Sequence, residues 1–128
     1  MSNTEDWVYK LFVEKGMLYL RVLNKMWEKA GEEAFNIKRL SDSLGVKEGS
    51  LVLDLGCGNG RTAINLAKLG YEVYGVDISP VFIKDALEKA RLYNVKDKTF
   101  FKTCDVRRID EEFDKIRFDV VLMYLSIL

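Results

Sequence analysis

The sequence predicts an α/β fold built on a parallel sheet, and three observations lead there. Leu51–Leu55 is apolar apart from Asp54, as a strand buried on both faces requires; Gly56, Gly58 and Gly60 follow, and from Arg61 the apolar residues recur at helical spacing. The alternation of strand and helix then returns at Tyr71–Val76 and residues 80–93. A nearly all-apolar segment, Phe118–Leu128, supplies one more strand and closes the chain.

Composition narrows the class. At 128 residues the chain suits one domain, able to bury roughly two thirds of its unfolded surface. It is 48% apolar and 31% charged with a single proline, the balance of a globular protein. Lys+Arg and Asp+Glu both number 20, so no basic excess points to nucleic acid. No apolar run approaches the roughly 18 residues of a membrane span, and the N-terminus MSNTEDWVYK is too polar and acidic for a signal peptide. The expectation is a cytoplasmic protein. Cys57 and Cys104 form no CxxC pair and the chain has no histidine, so no metal site is expected. Both thiols are expected to be reduced and structural.

The elements follow in order. Thr4 can cap a helix whose first turn holds Glu5 and Asp6, with Trp7, Val8, Leu11 and Phe12 along one face. Leu18, Tyr19, Val22, Leu23, Met26, Trp27 and Ala30 continue that spacing, which predicts one long helix or two short ones over residues 4–30, ending at Gly31. A further helix is expected over 32–44, with Ile37, Leu40 and Leu44 inward and Gly45 as its stop. Lys47–Ser50 is a polar turn into the first strand, and no linker composition divides residues 1–49 from 50–128, so both belong to one domain, a helical cap and a core.

The glycine turn carries the chemistry. A dinucleotide fingerprint G-x-G-x-x-G fails because Arg61 stands at its last glycine; D-x-G-x-G-x-G, Asp54 to Gly60, is what is present. An acid at that point repels a pyrophosphate and suits a ligand bearing an ammonium group. Leu53–Gly60 resembles motif I of the class I S-adenosylmethionine-dependent methyltransferases. The resemblance implies a Rossmann-like sheet in the order 3-2-1-4, with S-adenosylmethionine as cofactor and S-adenosylhomocysteine as product. It also implies that the turn Gly56, Cys57, Gly58 and Gly60 packs against the cofactor while Asp54 helps to place its methionine end. Helices ahead of motif I would fold over the cofactor; the plainer reading of Trp7, Phe12, Tyr19 and Trp27 is packing on the sheet.

After Gly70, expected to end the helix begun at Arg61, the second strand delivers Asp77 about twenty residues beyond Gly56. A carboxylate at that strand tip can accept hydrogen bonds from both hydroxyls of a ribose, and Ser79 with Pro80 already supplies the following helix with its cap. Val73–Ser79 resembles the family's second block, which implies Ile78 against the adenine. In the helix over 80–93 the buried side is read as Val81, Ile83, Ala86, Leu87 and Ala90, with Lys84, Asp85, Glu88 and Lys89 as a solvated face, and Asn94–Asp97 is expected to break it. A third strand, Thr99–Thr103, leads to Asp105 and Val106, which the resemblance places at the adenine amino group and ring; a loop-capping aspartate is the alternative for Asp105. One helical turn is expected over 110–115.

Phe118–Leu128 resembles the family's fourth strand and its continuation, which brings Met123 toward the methyl group. No Asn/Asp-Pro-Pro-aromatic sequence is present, which counts against amino-group methylation of adenine or glutamine, and a small-molecule acceptor is expected. No general base is identifiable; Tyr9, Tyr19 and Tyr124 are conceivable. The family's sheet ordinarily continues past this strand, so the fourth strand would be an exposed edge. The reading therefore expects a piece of a longer chain, or self-association or completion by another chain. A non-catalytic S-adenosylmethionine-binding module is the competing reading. A nicotinamide dehydrogenase is disfavoured by Arg61.

Overall fold

β1 (Leu51–Leu55) forms where the sequence places it and is buried from Val52 onward. The structure, a computed structural model, describes residues 16–123. β2 (Glu72–Asp77) pairs along one side of β1 and β4 (Val120–Leu122) along the other, with β3 (Thr99–Thr103) outside β2. All pairings are parallel, in the expected order β3-β2-β1-β4. Register sets Asp54 beside Gly75 and Asp77 beside Thr103, so the carboxyl ends of the three strands meet. At the opposite end Asp119 clamps β1. Its backbone N–H donates to Leu51 O and its Oδ2 accepts from Leu51 N, both at 2.8 Å.

α3 (Arg61–Lys68) and α4 (Pro80–Leu92) are right-handed crossovers running in the same direction across the sheet, and therefore cover the same face. Ile64, Leu66, Ile83 and Ala86 pack there on Val52, Val73 and Phe101. The β3-to-β4 connection runs back across the sheet, which puts α5 (Ile109–Phe113) on the other face with Leu53, Leu55 and Val76. Tyr74 anchors that face, meeting Phe113 and Phe118 edge-on at 5.7 and 5.5 Å between ring centroids. Such pairs contribute about 0.5–1.5 kcal/mol each beyond area burial.

α1 (Gly16–Lys25) passes through a 3₁₀ turn, Met26–Lys29, into α2 (Ala30–Ser43). Gly31 therefore lies inside α2 and does not end the preceding helix, contrary to expectation. Gly31 has no left-handed φ to stop the helix, and a Cβ there would make only an ordinary contact, 3.9 Å from Asn65 Oδ1 in α3, while Ala30 and Ala34 on either side of it are fully buried. Small residues thus define the inner face of α2. Ile37 packs on the core as expected, but Leu40 and Leu44 are exposed, 62% and 73%, and Ser41 is buried instead. Likewise Phe82 fills the core from α4 while Leu87 is exposed. Trp27 stacks on Tyr93, centroids 5.9 Å apart, and packs against the core cluster that includes Val52, Val73 and Phe101.

The expected stops at Gly45, Gly70 and Asn94 all form. Each holds a left-handed φ, and the next residue's N–H reaches back to a carbonyl in the last helical turn: Val46 to Ser41, Tyr71 to Leu66 and Val95 to Ala90. β4 differs from its expectation. Val121 is exposed and Val120 and Leu122 are half-buried, because α5 alone covers the sheet's second face among the described residues. The expectations for residues 4–15 and 124–128 lie outside the described residues, as does that for the Tyr19 side chain.

Candidate functional site

The turn after β1 owes its shape to three left-handed glycines, Gly56, Gly58 and Gly60, at φ 72°, 58° and 84°. The amides of Gly56 and Cys57 both donate to Val76 O at 2.9 Å, which folds the turn over the tip of β2. At Gly60 no side chain fits, since a Cβ would lie 3.0 Å from Phe101 Cζ and 3.1 Å from Ala86 Cβ. Phe101 is therefore the support beneath the turn. It also fills the space over Gly75, where a Cβ would lie 2.7 Å from two of its ring carbons.

Asp77 joins the pieces. Its Oδ2 accepts from Gly58 N at 2.9 Å and its Oδ1 from Ser79 N at 3.0 Å, so one carboxylate ties the turn to the start of α4. Ser79 caps α4 as expected, its Oγ accepting from Phe82 N. Asp77 is 8% exposed; burial raises its pKa, opposed by the backbone hydrogen bonds from Ser79, Gly58 and Ile78.

Asp54 lies on the same face of the sheet, 2% exposed, with Oδ2 buried and, among the described residues, without a hydrogen-bond donor. Burial pushes its carboxyl up to about 7; the neighbouring charge of Asp77 adds to the rise and Arg61 opposes it. The two acids thus face one place. A buried acceptor without a donor costs about 1–3 kcal/mol, so this oxygen is a standing demand for a cation or a donor. Cys57, 7% exposed, has its thiol raised well above its usual range, first by burial and then by Asp54 and Asp77; it is a filler of the turn.

The remaining predicted residues are more open. Cys104 N donates to Asp77 O, which brings the end of β3 beside β2 and carries Asp105 and Val106 to the rim. Asp105 caps a short 3₁₀ turn by accepting from Arg107 N at 3.0 Å and is clasped by the Arg107 guanidinium, which holds its carboxyl below the usual carboxylate range. The loop-capping alternative therefore describes what Asp105 does in this structure. Ile78 is half-buried, Val106 is 38% exposed, and Met123 is 63% exposed just beyond β4.

Four contributors escaped the sequence reading. Leu23 of α1 covers the turn, 3.3 Å from where a Gly58 Cβ would be. Asn59, 1% exposed, donates from Nδ2 to Asn24 Oδ1 at 2.9 Å and to Asp85 Oδ2 at 3.1 Å, so the turn holds α1 and α4 together. Asp85 and Lys89 belong to this packing and not to a solvated face, Lys89 lying over the Trp27 ring. Phe101 is the third. Arg61 is the fourth, 5% exposed and ion-paired to Glu33 of α2 at 3.2 Å. Its signal was in view: a cation directly after an acid-led glycine turn.

A family model described as a methyltransferase domain matches residues 46–127. The 23S rRNA (uracil(1939)-C(5))-methyltransferase RlmD of Shewanella sediminis is 42% identical over 67 residues, 52% of this chain and 15% of that protein. The ubiquinone biosynthesis O-methyltransferase of Alkalilimnicola ehrlichii is 31% identical over 107 residues, 77% of this chain and 41% of that protein. Among solved structures, an RNA methyltransferase from Salinibacter ruber in complex with S-adenosylhomocysteine superposes with a TM-score of 0.56 at 30% identity, covering 70% of this chain and 56% of that one. The chain spans less than half the length of both curated relatives.

Proposed function

This chain belongs to the S-adenosylmethionine-dependent methyltransferase-domain family, and on that premise we propose that it binds S-adenosylmethionine at the Gly56–Gly60 turn and transfers the methyl group to an acceptor. One observation carries the reading: the buried Oδ2 of Asp54, without a donor among the described residues, beside a turn whose Gly60 has no room for a side chain. An ammonium group answers that oxygen. A pyrophosphate would be repelled by it.

The residues divide the work along the ligand. Asp54 and the backbone of Gly56, Cys57, Gly58 and Gly60 hold the methionine end, Asp77 accepts from the ribose hydroxyls, and Ile78, Asp105 and Val106 bound the adenine, with Met123 on the methyl side. Asp105 reaches the adenine amino group only if Arg107 yields part of its clasp. The sulfonium supplies an already activated methyl group, so the protein's tasks are alignment and exclusion of water. Leu23, seated over Gly58, serves the second task.

Calorimetry with S-adenosylhomocysteine tests this. Asp77→Ala is expected to weaken binding by roughly 1.5–3 kcal/mol, the scale of charge-assisted hydrogen bonds. An unchanged affinity would remove the ribose assignment.

The acceptor we favour is a small molecule. The support is the balanced charge, 20 basic against 20 acidic residues, which gives no general attraction to phosphate backbones. RNA is the alternative that the names of RlmD and the Salinibacter ruber protein raise. Methyl transfer from labelled cofactor into total RNA, with none into small-molecule extracts, would reverse the preference. Two free, buried cysteines suit a reducing compartment such as the cytoplasm. Among the described residues no helix is long and apolar enough to cross a membrane.

A second reading has its own observation. The outer edge of β4 takes no strand among the described residues, and Val121 and Met123 are 56% and 63% exposed there. That favours a cofactor-binding module completed by a further strand, from a second copy or another chain. Binding of S-adenosylhomocysteine without methyl release by the isolated chain would support it.

A further inference from the structure

Three acids stand along the carboxyl edge of the sheet in strand order, Asp54 on β1, Asp77 on β2 and Asp105 just past β3. With a ligand's amino-acid end at Asp54 and its ribose at Asp77, the base extends toward β3. There the hydrogen bond from Cys104 N to Asp77 O sets the start of the Asp105 turn beside the tip of β2. Asp105 is thus an acceptor in the path of the base, and it is already in use.

Its two oxygens are used differently. Oδ1 accepts from the backbone N–H of Arg107 at 3.0 Å, which closes the 3₁₀ turn Val106–Arg108, and from Arg107 Nε at 3.0 Å. Oδ2 accepts from the Arg107 side chain, through Nε at 3.1 Å and through Nη2. A carboxylate offers about four lone-pair sites, and one arginine fills them. If that side chain swings aside, the backbone bond keeps the carboxylate aimed and Oδ2 is released for another donor. The swing is easy, because the Arg107 side chain is 63% exposed and exposed ion pairs shift an equilibrium by no more than about fivefold.

We propose that Arg107 competes with the amino group of adenine for Oδ2 of Asp105, and so sets how strictly this chain requires that amino group. This rests on the cofactor reading above and names the residue that grades its base selectivity. The competing account is that the clasp only closes the turn after β3.

Calorimetric titration of two ligands separates these, S-adenosylhomocysteine and its 6-deamino analogue, in which hydrogen replaces the amino group of the base. Arg107→Ala keeps the backbone N–H that closes the turn and removes the side chain. It should widen the preference for S-adenosylhomocysteine over the analogue by about two- to fivefold, the range over which an exposed ion pair competes. In an Asp105→Ala background the same substitution should leave the preference unchanged, since no carboxylate is then contested. A preference that Arg107→Ala leaves unchanged or narrows overturns the proposal, as does a widening that persists without Asp105. Equal binding of the two ligands to both wild type and Arg107→Ala also removes Asp105 from the base and leaves the cofactor reading standing. Binding of neither ligand to wild type overturns both.

Discussion

Asp54 gives the residue scale its sharpest consequence. Its carboxyl lies at about 7 in the folded chain against about 3.9 in an unfolded one, because burial penalises the charge. Between those values the folded state holds a proton that the unfolded state has lost, so stability falls as pH rises from about 4 to about 7 and levels off above. Asp77, raised by burial as well, slopes the same way. Asp54→Asn mimics the protonated acid. Urea unfolding of the ligand-free variant should match wild type near pH 4 and exceed it at pH 8 by an amount on the order of 3–4 kcal/mol, an upper figure because relaxation and entering water soften burial. Parallel stability curves for the two proteins would show that Asp54 is hydrated. The same substitution should weaken S-adenosylhomocysteine, as the proposed place of Asp54 at the methionine end requires.

At the scale of elements, Phe101 of β3 is the keystone under the glycine turn, and Gly75 makes room for it. Gly75→Ala would drive a methyl to 2.7 Å from two ring carbons and 3.0 Å from Cys57 Cβ, an overpacking expected to cost about 1–3 kcal/mol. Phe101→Leu alone should also destabilise, by leaving a void. Together the two should cost clearly less than their sum, as measured in a double-mutant cycle of thermal melts; strict additivity would mean that the ring does not press on Gly75. This contact was illegible in the sequence, since neither a lone strand glycine nor a strand phenylalanine announces its partner. The elements themselves were legible because each was marked twice. β1 and α3 had an apolar run and a glycine turn; α4 had Ser79-Pro80 at one end and Asn94 at the other. Where only apolar spacing spoke, it misled. Leu40 and Leu44 looked inward, but the close approach of α2 to α3 selected Ala30, Ala34 and Ser41 instead. The site was half readable: acids and glycines declare themselves by spacing, whereas Leu23, Asn24 and Asp85 reach the turn from elements whose placement is a tertiary fact.

The whole molecule is asymmetric across its sheet. One face is buried under α2, α3 and α4, while the other carries α5 alone among the described residues and leaves Phe100, Val121 and Met123 exposed at 46%, 56% and 63%. Those side chains lie on β3, on β4 and just beyond β4, the two outer strands and the end of one, and among the described residues no strand pairs with the outer edge of β4. Apolar surface beside an open strand edge is the combination that other chains exploit. In preparations of this chain alone, β4 should pair with β4 of a second copy, since an antiparallel two-fold arrangement lets both edges bond at once. Sedimentation velocity at tens of micromolar is expected to show a dimer or larger species. Val121→Lys places a charge on that exposed strand without touching the glycine turn, so it should move the population toward monomer and leave S-adenosylhomocysteine affinity within about twofold, the spread of a surface change. A wild-type chain that sediments as a monomer at that concentration would show the edge to be closed by its own residues. A dimer that Val121→Lys leaves intact would place the contact elsewhere, with the exposed Leu40 and Leu44 of α2 the next surface to alter.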